Sequence, residues 1–505
     1  MLPPILLLSV SLLAPLCYAA AAPPLRREAA VTPAADAPLP AVSATLGGVT
    51  YVNHGLIAFG LIPNNATEST GDTIGGIGSA IGLKPGTWKA LDNGSYTGIL
   101  VVQPDRGYNI IGTIDYQARR HEIEFTLTPY QGTANLTFTD AQQTLQLTYL
   151  NTTLLFERND TKTSGLDPQV VRPAQPGFGA SDPLADPEMP VARKDELHLT
   201  LDSEGIIVNP DGTFWLSDEY GPYIYLFTGD GHIIQTIQPP PAVLPIVNGA
   251  VNFSAINDPD TGRQANQGFE GLTMDFTTNT LYAMLQSATV QDGALQYTRL
   301  FAYDVSEPSV SVPLIGEWVV PLPLNSGGSN VEASSEIHFV SPGVFLSLSR
   351  DGNGHGGSGT KIKYKQADLF SIANATNIAN SQYDSPDTPV APKGKLIKTV
   401  TPATYVGFVN YADPAGLARF GMHVGDPDNQ MLINAKWESL ALAPVGSSAP
   451  DDYFLFTASD NDFLTEDGIA LGEPYNAGEN VDNQFFVFRV TLPGASQGVN
   501  LALGL

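Results

Sequence analysis

Four glutamates stand out because each is followed within two positions by an aliphatic residue and then by a strand-like run. They are Glu204 in Glu204-Gly205-Ile206, Glu270 in Glu270-Gly271-Leu272, Glu336 in Glu336-Ile337, and Glu438 in Glu438-Ser439-Leu440. Glu270 follows Glu204 by 66 positions, Glu336 follows Glu270 by 66, and Glu438 comes 102 later. A second strand-like run follows each and ends in polar residues: Ser217-Asp218-Glu219, Gln286-Ser287, Ser349-Arg350-Asp351, and Ser459-Asp460-Asn461-Asp462. Carboxylates that converge on one axis repel, so either their pKa values rise or a cation neutralises them. Calcium takes about six to eight oxygen ligands, and a ring of Asp, Glu and Asn supplies that chemistry. The expected metal set is Glu204, Glu219, Glu270, Glu336, Glu438, Asp460 and Asp462. The same glutamates have a structural alternative, in which each accepts backbone N–H groups of the neighbouring repeat.

Arg350 is the cation best placed for an anionic group, because a guanidinium can hold phosphate or carboxylate with two parallel hydrogen bonds. A structural ion pair with one of the glutamates is the alternative. The glycine-rich Gly352-Asn353-Gly354-His355-Gly356-Gly357 follows it, making His355 a candidate substrate contact or acid–base group, or else an exposed loop residue. Lys361, Lys363 and Lys365 alternate and read as one solvated face, or as a patch steering phosphate. Asp258-Pro259-Asp260 precedes Glu270 by 12 positions and Asp426-Pro427-Asp428 precedes Glu438 by the same 12. Both read as loop structure, with metal binding as the alternative. No G-x-S-x-G elbow, H-E-x-x-H helix or phosphate-binding P-loop occurs. Arg119-Arg120-His121 is followed by Glu122, so it does not supply an Arg-His-Gly phosphatase signature.

Residues this far apart need a radial scaffold to meet. Gly205 to Val208 is apolar, Asn209-Pro210-Asp211-Gly212 turns, and Thr213 to Leu216 resumes. Tyr223 to Phe227, the hairpin signal Asp230-Gly231, and Ile233 to Ile237 complete a meander the size of one propeller blade. A degenerate copy starts at Gly75-Gly76-Ile77 and ends at Asp105-Arg106-Gly107. The wide gaps before Glu204 and Glu438 leave room for one diverged blade each. The expected fold is therefore an all-β propeller of six blades, with seven as the alternative. Gln366 to Asn380 reads as a short inserted helix, and Gln484 to Leu492 as a terminal strand able to pair with the N-terminal strands.

The chain of 505 residues is 43% hydrophobic, ample for a large core. Its net charge of −27 disfavours nucleic acid and anionic membranes as partners. An apolar run from Ile5 to Leu16 and small residues from Ala19 to Ala22 read as a secretory signal, and no later run is apolar enough to span a bilayer. The expected division is a signal at 1–22, an Ala/Pro-rich leader at 23–45, one domain at 46–495 and a tail at 496–505. Cys17 is the only cysteine, so the expected mature chain has neither a disulfide nor a thiolate site. Sequons at Asn65, Asn93, Asn135, Asn151, Asn159, Asn252 and Asn374 suit a secreted glycoprotein.

Glu270-Gly271-Leu272-Thr273, Ser349-Arg350-Asp351, Trp437-Glu438-Ser439-Leu440 and Ser459-Asp460-Asn461-Asp462 resemble the motifs of the phytase-like domain family, also described by its esterase-like activity. The Asp368 to Ile378 stretch and Gln484-Phe485-Phe486-Val487-Phe488-Arg489 are similar to that family too. The resemblance runs from about residue 50 to 495 and implies a propeller-like fold and hydrolysis of phosphoric or carboxylic esters. It marks Glu270, Arg350, Asp351, Glu438, Asp460 and Asp462 as positions to test. The leading expectation is a secreted, monomeric, calcium-dependent hydrolase of a small-molecule ester. Glu270 or Glu438 would be ligand or base, and Arg350 would hold the anion. A lactonase or carboxylesterase propeller and a non-enzymatic extracellular binding module are the alternatives.

Overall fold

In a computed structural model, the described residues are 41–157, 160–175, 186–325, 327–328 and 330–505. The expected signal peptide, most of the leader, and Asn159 lie outside them.

The chain folds as antiparallel β-meanders. The second sheet shows why. Ser203–Val208 turns at Asn209-Pro210-Asp211-Gly212 into Phe214–Asp218, then into Ile224–Phe227 and Ile233–Ile237. Gly212 (φ +89°) closes the first turn and Gly231 (φ +91°) the last, a left-handed backbone that costs glycine little. The third sheet repeats the plan with Phe269–Asp275, Thr280–Leu285, Tyr297–Asp304 and Leu314–Pro321. The fourth does so with Ser334–Ser341, Val344–Arg350, Lys365–Ser371 and Thr404–Asn410. The first sheet runs Ala80–Leu83, Tyr96–Gln103, Arg119–Leu127 and Leu145–Leu154, with Lys89–Ala90 on the edge of Tyr96–Gln103.

The fifth sheet joins the two ends of the described chain. Val42–Leu46 pairs with Val49–Ile62, which pairs with Asn483–Thr491, and that strand pairs with Asp452–Asp460. Lys436–Trp437 and Ala441–Pro444 both pair with Asp452–Asp460. The terminal strand read from the sequence thus pairs as expected with an N-terminal strand. The first strand begins at Val42, inside the stretch expected to be a leader.

Successive sheets bury their faces against each other. Ile206, Leu216 and Tyr225 of the second sheet share a core with Ala80 and Val101 of the first. Trp215 and Leu226 pack with Leu272, Leu281 and Phe301 of the third. Met284 and Leu300 pack with Ile337, Phe345 and Phe370 of the fourth. Tyr411, at the end of the fourth, stacks on Phe488 of the fifth (5.0 Å between ring centres), and Phe456 of the fifth lies 5.1 Å from Phe125 of the first. Because both faces of most strands are buried, their sequences read as continuous apolar runs rather than alternating ones.

The first strands approach closely. A Cβ at Gly205 would lie 2.5 Å from Leu272 Cβ, and one at Gly78 would lie 2.0 Å from the Ser459 backbone, so only glycine fits. Ile81, Ile206, Leu272, Phe339 and Leu442, one from each sheet, line a single apolar cavity of about 70 Å³. The helix Ser496–Leu503 seals it, with Val499 and Leu503 buried, so the expected tail is a packed element.

Two other sequence readings change. The described residues hold five sheets of four or more strands, not six. The long gap before Glu438 carries, beyond the strands of the fourth sheet, loops and three short helical turns (Gln382–Asp384, Pro392–Gly394 and Pro414–Ala418), not another sheet. The gap before Glu204 holds the three-stranded sheet of Val170–Arg172, Met189–Arg193 and Glu196–Leu199, which contributes nothing to that cavity. The helix expected over Gln366 to Asn380 is instead the strand Lys365–Ser371 followed by turns and loop.

Candidate active site

The other end of the same first strands opens into a polar pocket of about 160 Å³. Its walls include Asp105, Arg106, Asp202, Glu204, Glu219, Glu270, Arg350, Lys436, Glu438 and Asp462, with the amides of Asn109, Asn266 and Gln286. All five sheets or their connecting loops contribute. Glu204, Glu270 and Glu438 occupy one register, each two residues before the inward aliphatic Ile206, Leu272 or Leu440, and each is nearly buried. Asp202 and Glu219 meet Glu204 because Ser203 pairs with Asp218 across the second sheet. Carboxylate oxygens of Asp202, Glu204 and Glu219 lie within 4.8 Å of one another.

Glu336 does not join them. Its aliphatic neighbour follows immediately, so it sits one register step later than the others. A single step turns a strand side chain to the opposite face. Its carboxylate accepts N–H groups from Leu272 (2.9 Å) and Ile337 (2.7 Å) and lines the apolar cavity. That is the structural role the sequence left open for these glutamates. The equal 66-residue spacing concealed the shift, and Ser335 holds the register position of Glu270.

Arg350 ends the second strand of the fourth sheet, points into the pocket and pairs with Glu438. Its neighbour Asp351 faces away. Asp351 accepts from Lys363 N–H (2.6 Å) and Asn353 (2.9 Å) and lies 3.2 Å from the Lys365 ammonium. It is a loop anchor, not a pocket residue. Lys365 is buried, so the three alternating lysines do not share a solvated face. His355 also lies outside the pocket. It is buried, with Nδ1 2.8 Å from Asp428 and Nε2 3.1 Å from the Asn480 carbonyl. Asp460 and Asp462 are brought to the pocket edge, where both contact Lys436.

Asp105, Arg106, Asp202, Asn266 and Lys436 are pocket residues the sequence reading did not select. Arg106 lies 2.9 Å from Asp202 and contacts Asn266. Asp105 and Arg106 end the degenerate first copy, which was the available signal. Lys436 precedes Glu438 by two, so it shares that strand's inward face.

The electrostatics are lopsided. Three cations face seven lining carboxylates. Burial first, then Glu270, Asp202, Glu219 and Glu438, holds Glu204 well above the usual carboxylate range. Burial, Glu270 and Asp202 raise Glu219 strongly, with Arg106 and Arg263 opposing. Burial and Glu438 raise Glu270 strongly against the pull of Arg350 and Lys436. Asp218, behind them, is pushed up to about 8 by burial, although Asp202, Tyr220 and Gly221 donate backbone N–H groups to it. Glu219 Oε1 and Glu270 Oε2 are buried without a hydrogen-bond partner. Hard oxygen donors, excess negative charge and orphaned carboxylate oxygens fit a divalent cation of the calcium class. A larger hollow of about 560 Å³ near Trp215, Met274 and Phe276 is mostly apolar and lies at the opposite strand ends.

The exposed asparagines of six sequons (Asn65, Asn93, Asn135, Asn151, Asn252 and Asn374) remain accessible on the surface. No described helix is long and apolar enough to cross a membrane.

Fold and site together define an all-β protein with a buried acidic centre where several sheets meet. A model of the family described as phytase-like, esterase-like activity of phytase, matches residues 86–463, and the chain belongs to that family. A protein of Arthroderma benhamiae described as an uncharacterized secreted protein is 37% identical over 483 residues, covering 86% of this chain and 92% of that one. Two solved structures overlap coarsely. A luciferin-regenerating enzyme is 11% identical with a TM-score of 0.26, covering 87% of this chain and 97% of that one. A putative 6-phosphogluconolactonase of Bacteroides uniformis is 12% identical with a TM-score of 0.27, covering 80% and 85%.

Proposed function

We propose that the chain is a secreted five-bladed β-propeller that hydrolyses a small anionic ester, phosphoric by preference, with one divalent cation. Asp202, Glu204 and Glu219 would hold the cation, with Glu270 beside them. The observation that carries the reading is the trio of buried carboxylates within 4.8 Å, facing three cations across one small pocket. The face-to-face cores from the first sheet through the fifth and back to the first support the propeller. The apolar N-terminal run and the secreted fungal relative support export.

A bound calcium ion would supply Lewis acidity toward the ester oxygen and lower the pKa of an attacking water. Arg350 would orient the anionic group. Its Nε–H is buried without a partner and remains able to donate. Glu270, between Arg350 and the trio, would accept the proton of the water, since burial and Glu438 make its carboxylate more basic than an ordinary one. Arg106 and Lys436 add positive charge opposite the carboxylates, so an anion can approach a chain of net charge −27.

The test is turnover of p-nitrophenyl phosphate, p-nitrophenyl acetate and an aliphatic lactone, in calcium and in chelator, by wild type and Glu270→Gln. Phosphate-ester hydrolysis lost in chelator and in the variant supports the proposal. Turnover of lactone or acyl ester alone favours the lactonase or carboxylesterase alternative. Full activity in chelator removes the metal role, and no turnover at all favours a binding module.

A further inference from the structure

A second group of carboxylates lies beside the first: Asp105, Asp460 and Asp462, whose oxygens also lie within 4.8 Å of one another. This trio already holds a cation. Lys436 pairs across the strands with Asp460, which puts both side chains on one face of the sheet. Its ammonium contacts Asp460, lies 2.7 Å from Asp462 and 3.7 Å from Glu438. Asp462 folds back so that its N–H donates to Asp460 Oδ1 (2.6 Å), turning the remaining oxygens toward the lysine. Burial disfavours the ammonium, yet Asp460, Asp462, Glu438 and Asp105 outweigh it and raise Lys436 well above the ordinary lysine range. The contrast with the first trio is chemical. There, Glu219 Oε1 and the adjacent Glu270 Oε2 lack partners, and the one side-chain cation in contact, Arg106, pairs with Asp202 alone (2.9 Å).

We infer that the pocket has two cation positions and that Lys436 permanently fills the second, so the centre is built for one metal ion where it would otherwise take two. This rests on the reading that the first trio binds a cation. It gives Lys436 a positioning role as well: the fixed charge that a second metal ion would bring to a dinuclear site comes here from a side chain.

The experiment is the calcium content per chain of wild type, Lys436→Met and Lys436→Arg, by elemental analysis after dialysis against millimolar calcium. The Met variant should hold one more calcium ion than wild type, and the Arg variant the same number as wild type. The melting temperature of the Met variant should also rise more with calcium than that of wild type. If the Met variant does not fold, Lys436→Gln replaces it. An unchanged ion count in the uncharged variant overturns the inference, as does a second ion in wild type. Absence of calcium from wild type, with one ion gained by the variant, would instead refute the metal reading of the first trio and uphold the role of Lys436.

Discussion

Replacing Glu204 by glutamine should move stability in opposite directions with and without calcium. Glu204 is nearly buried within 4.8 Å of the Asp202 and Glu219 oxygens. Two carboxylates at 4.8 Å in an effective dielectric near 20 repel by about 3.5 kcal/mol. Shared protons already relieve part of this in the metal-free protein, leaving about 1–3 kcal/mol to be gained by removing one charge. Metal-free Glu204→Gln should therefore melt roughly 1–3 °C above metal-free wild type. Calcium at about a thousandfold over its dissociation constant stabilises wild type by about 4 kcal/mol. A lost carboxylate ligand that weakens binding ten- to a hundredfold removes about 1.4–2.8 kcal/mol of that. The assay is thermal unfolding of both proteins at pH 7.5, in chelator and in calcium. A variant less stable by the same amount in both conditions would refute the reasoning, because it would make Glu204 an ordinary structural acceptor.

Glu336 is the internal contrast. Glu336→Gln keeps an acceptor oxygen for Leu272 and Ile337 and should leave calcium affinity unchanged by calorimetry, while Glu336→Ala orphans two buried N–H groups and should cost about 2–4 kcal/mol in denaturant unfolding. The raised pKa values of Glu204, Glu219 and Glu270 also set a pH dependence. An acid raised in the folded state favours folding fully below its unfolded pKa of about 4.3, and that stability is lost as pH rises through the folded value. The melting temperature in chelator should therefore fall from pH 5 to pH 8, and calcium should flatten the fall; a rise in chelator would contradict the assignment. Arg350→Met should lower kcat/KM for an anionic ester by about a hundredfold or more while a neutral acyl ester loses much less, since it removes an anion contact and strands Glu438.

The meanders were legible because their turns carry Asn-Pro-Asp-Gly and Asp-Gly at the required backbone angles, and the convergence of Glu204, Glu270 and Glu438 was legible because each precedes the same inward aliphatic position. Spacing alone could not show register. Glu336 and Asp351 are one step from pocket-facing positions, and in a strand one step is the whole difference between the pocket and the other face. Asp202 lies outside the repeating motif, and its contribution appears only when the pairing of Ser203 with Asp218 sets it beside Glu219, while Asp105, at the end of the degenerate first copy, meets Asp460 only through the approach of the first sheet to the fifth. Lys436 was hidden for another reason. A lone lysine reads as solvated surface until its strand partner proves to be an aspartate. The number of sheets was overestimated because a long gap can hold loops, as it does before Glu438, as readily as another meander.

The most direct measurement is an anomalous difference map from crystals grown in millimolar calcium. A peak should stand about 2.3–2.6 Å from oxygens of Asp202, Glu204 and Glu219. Those three side chains hydrogen-bonded to one another through shared protons, with no ion among them at that calcium concentration, would contradict the account.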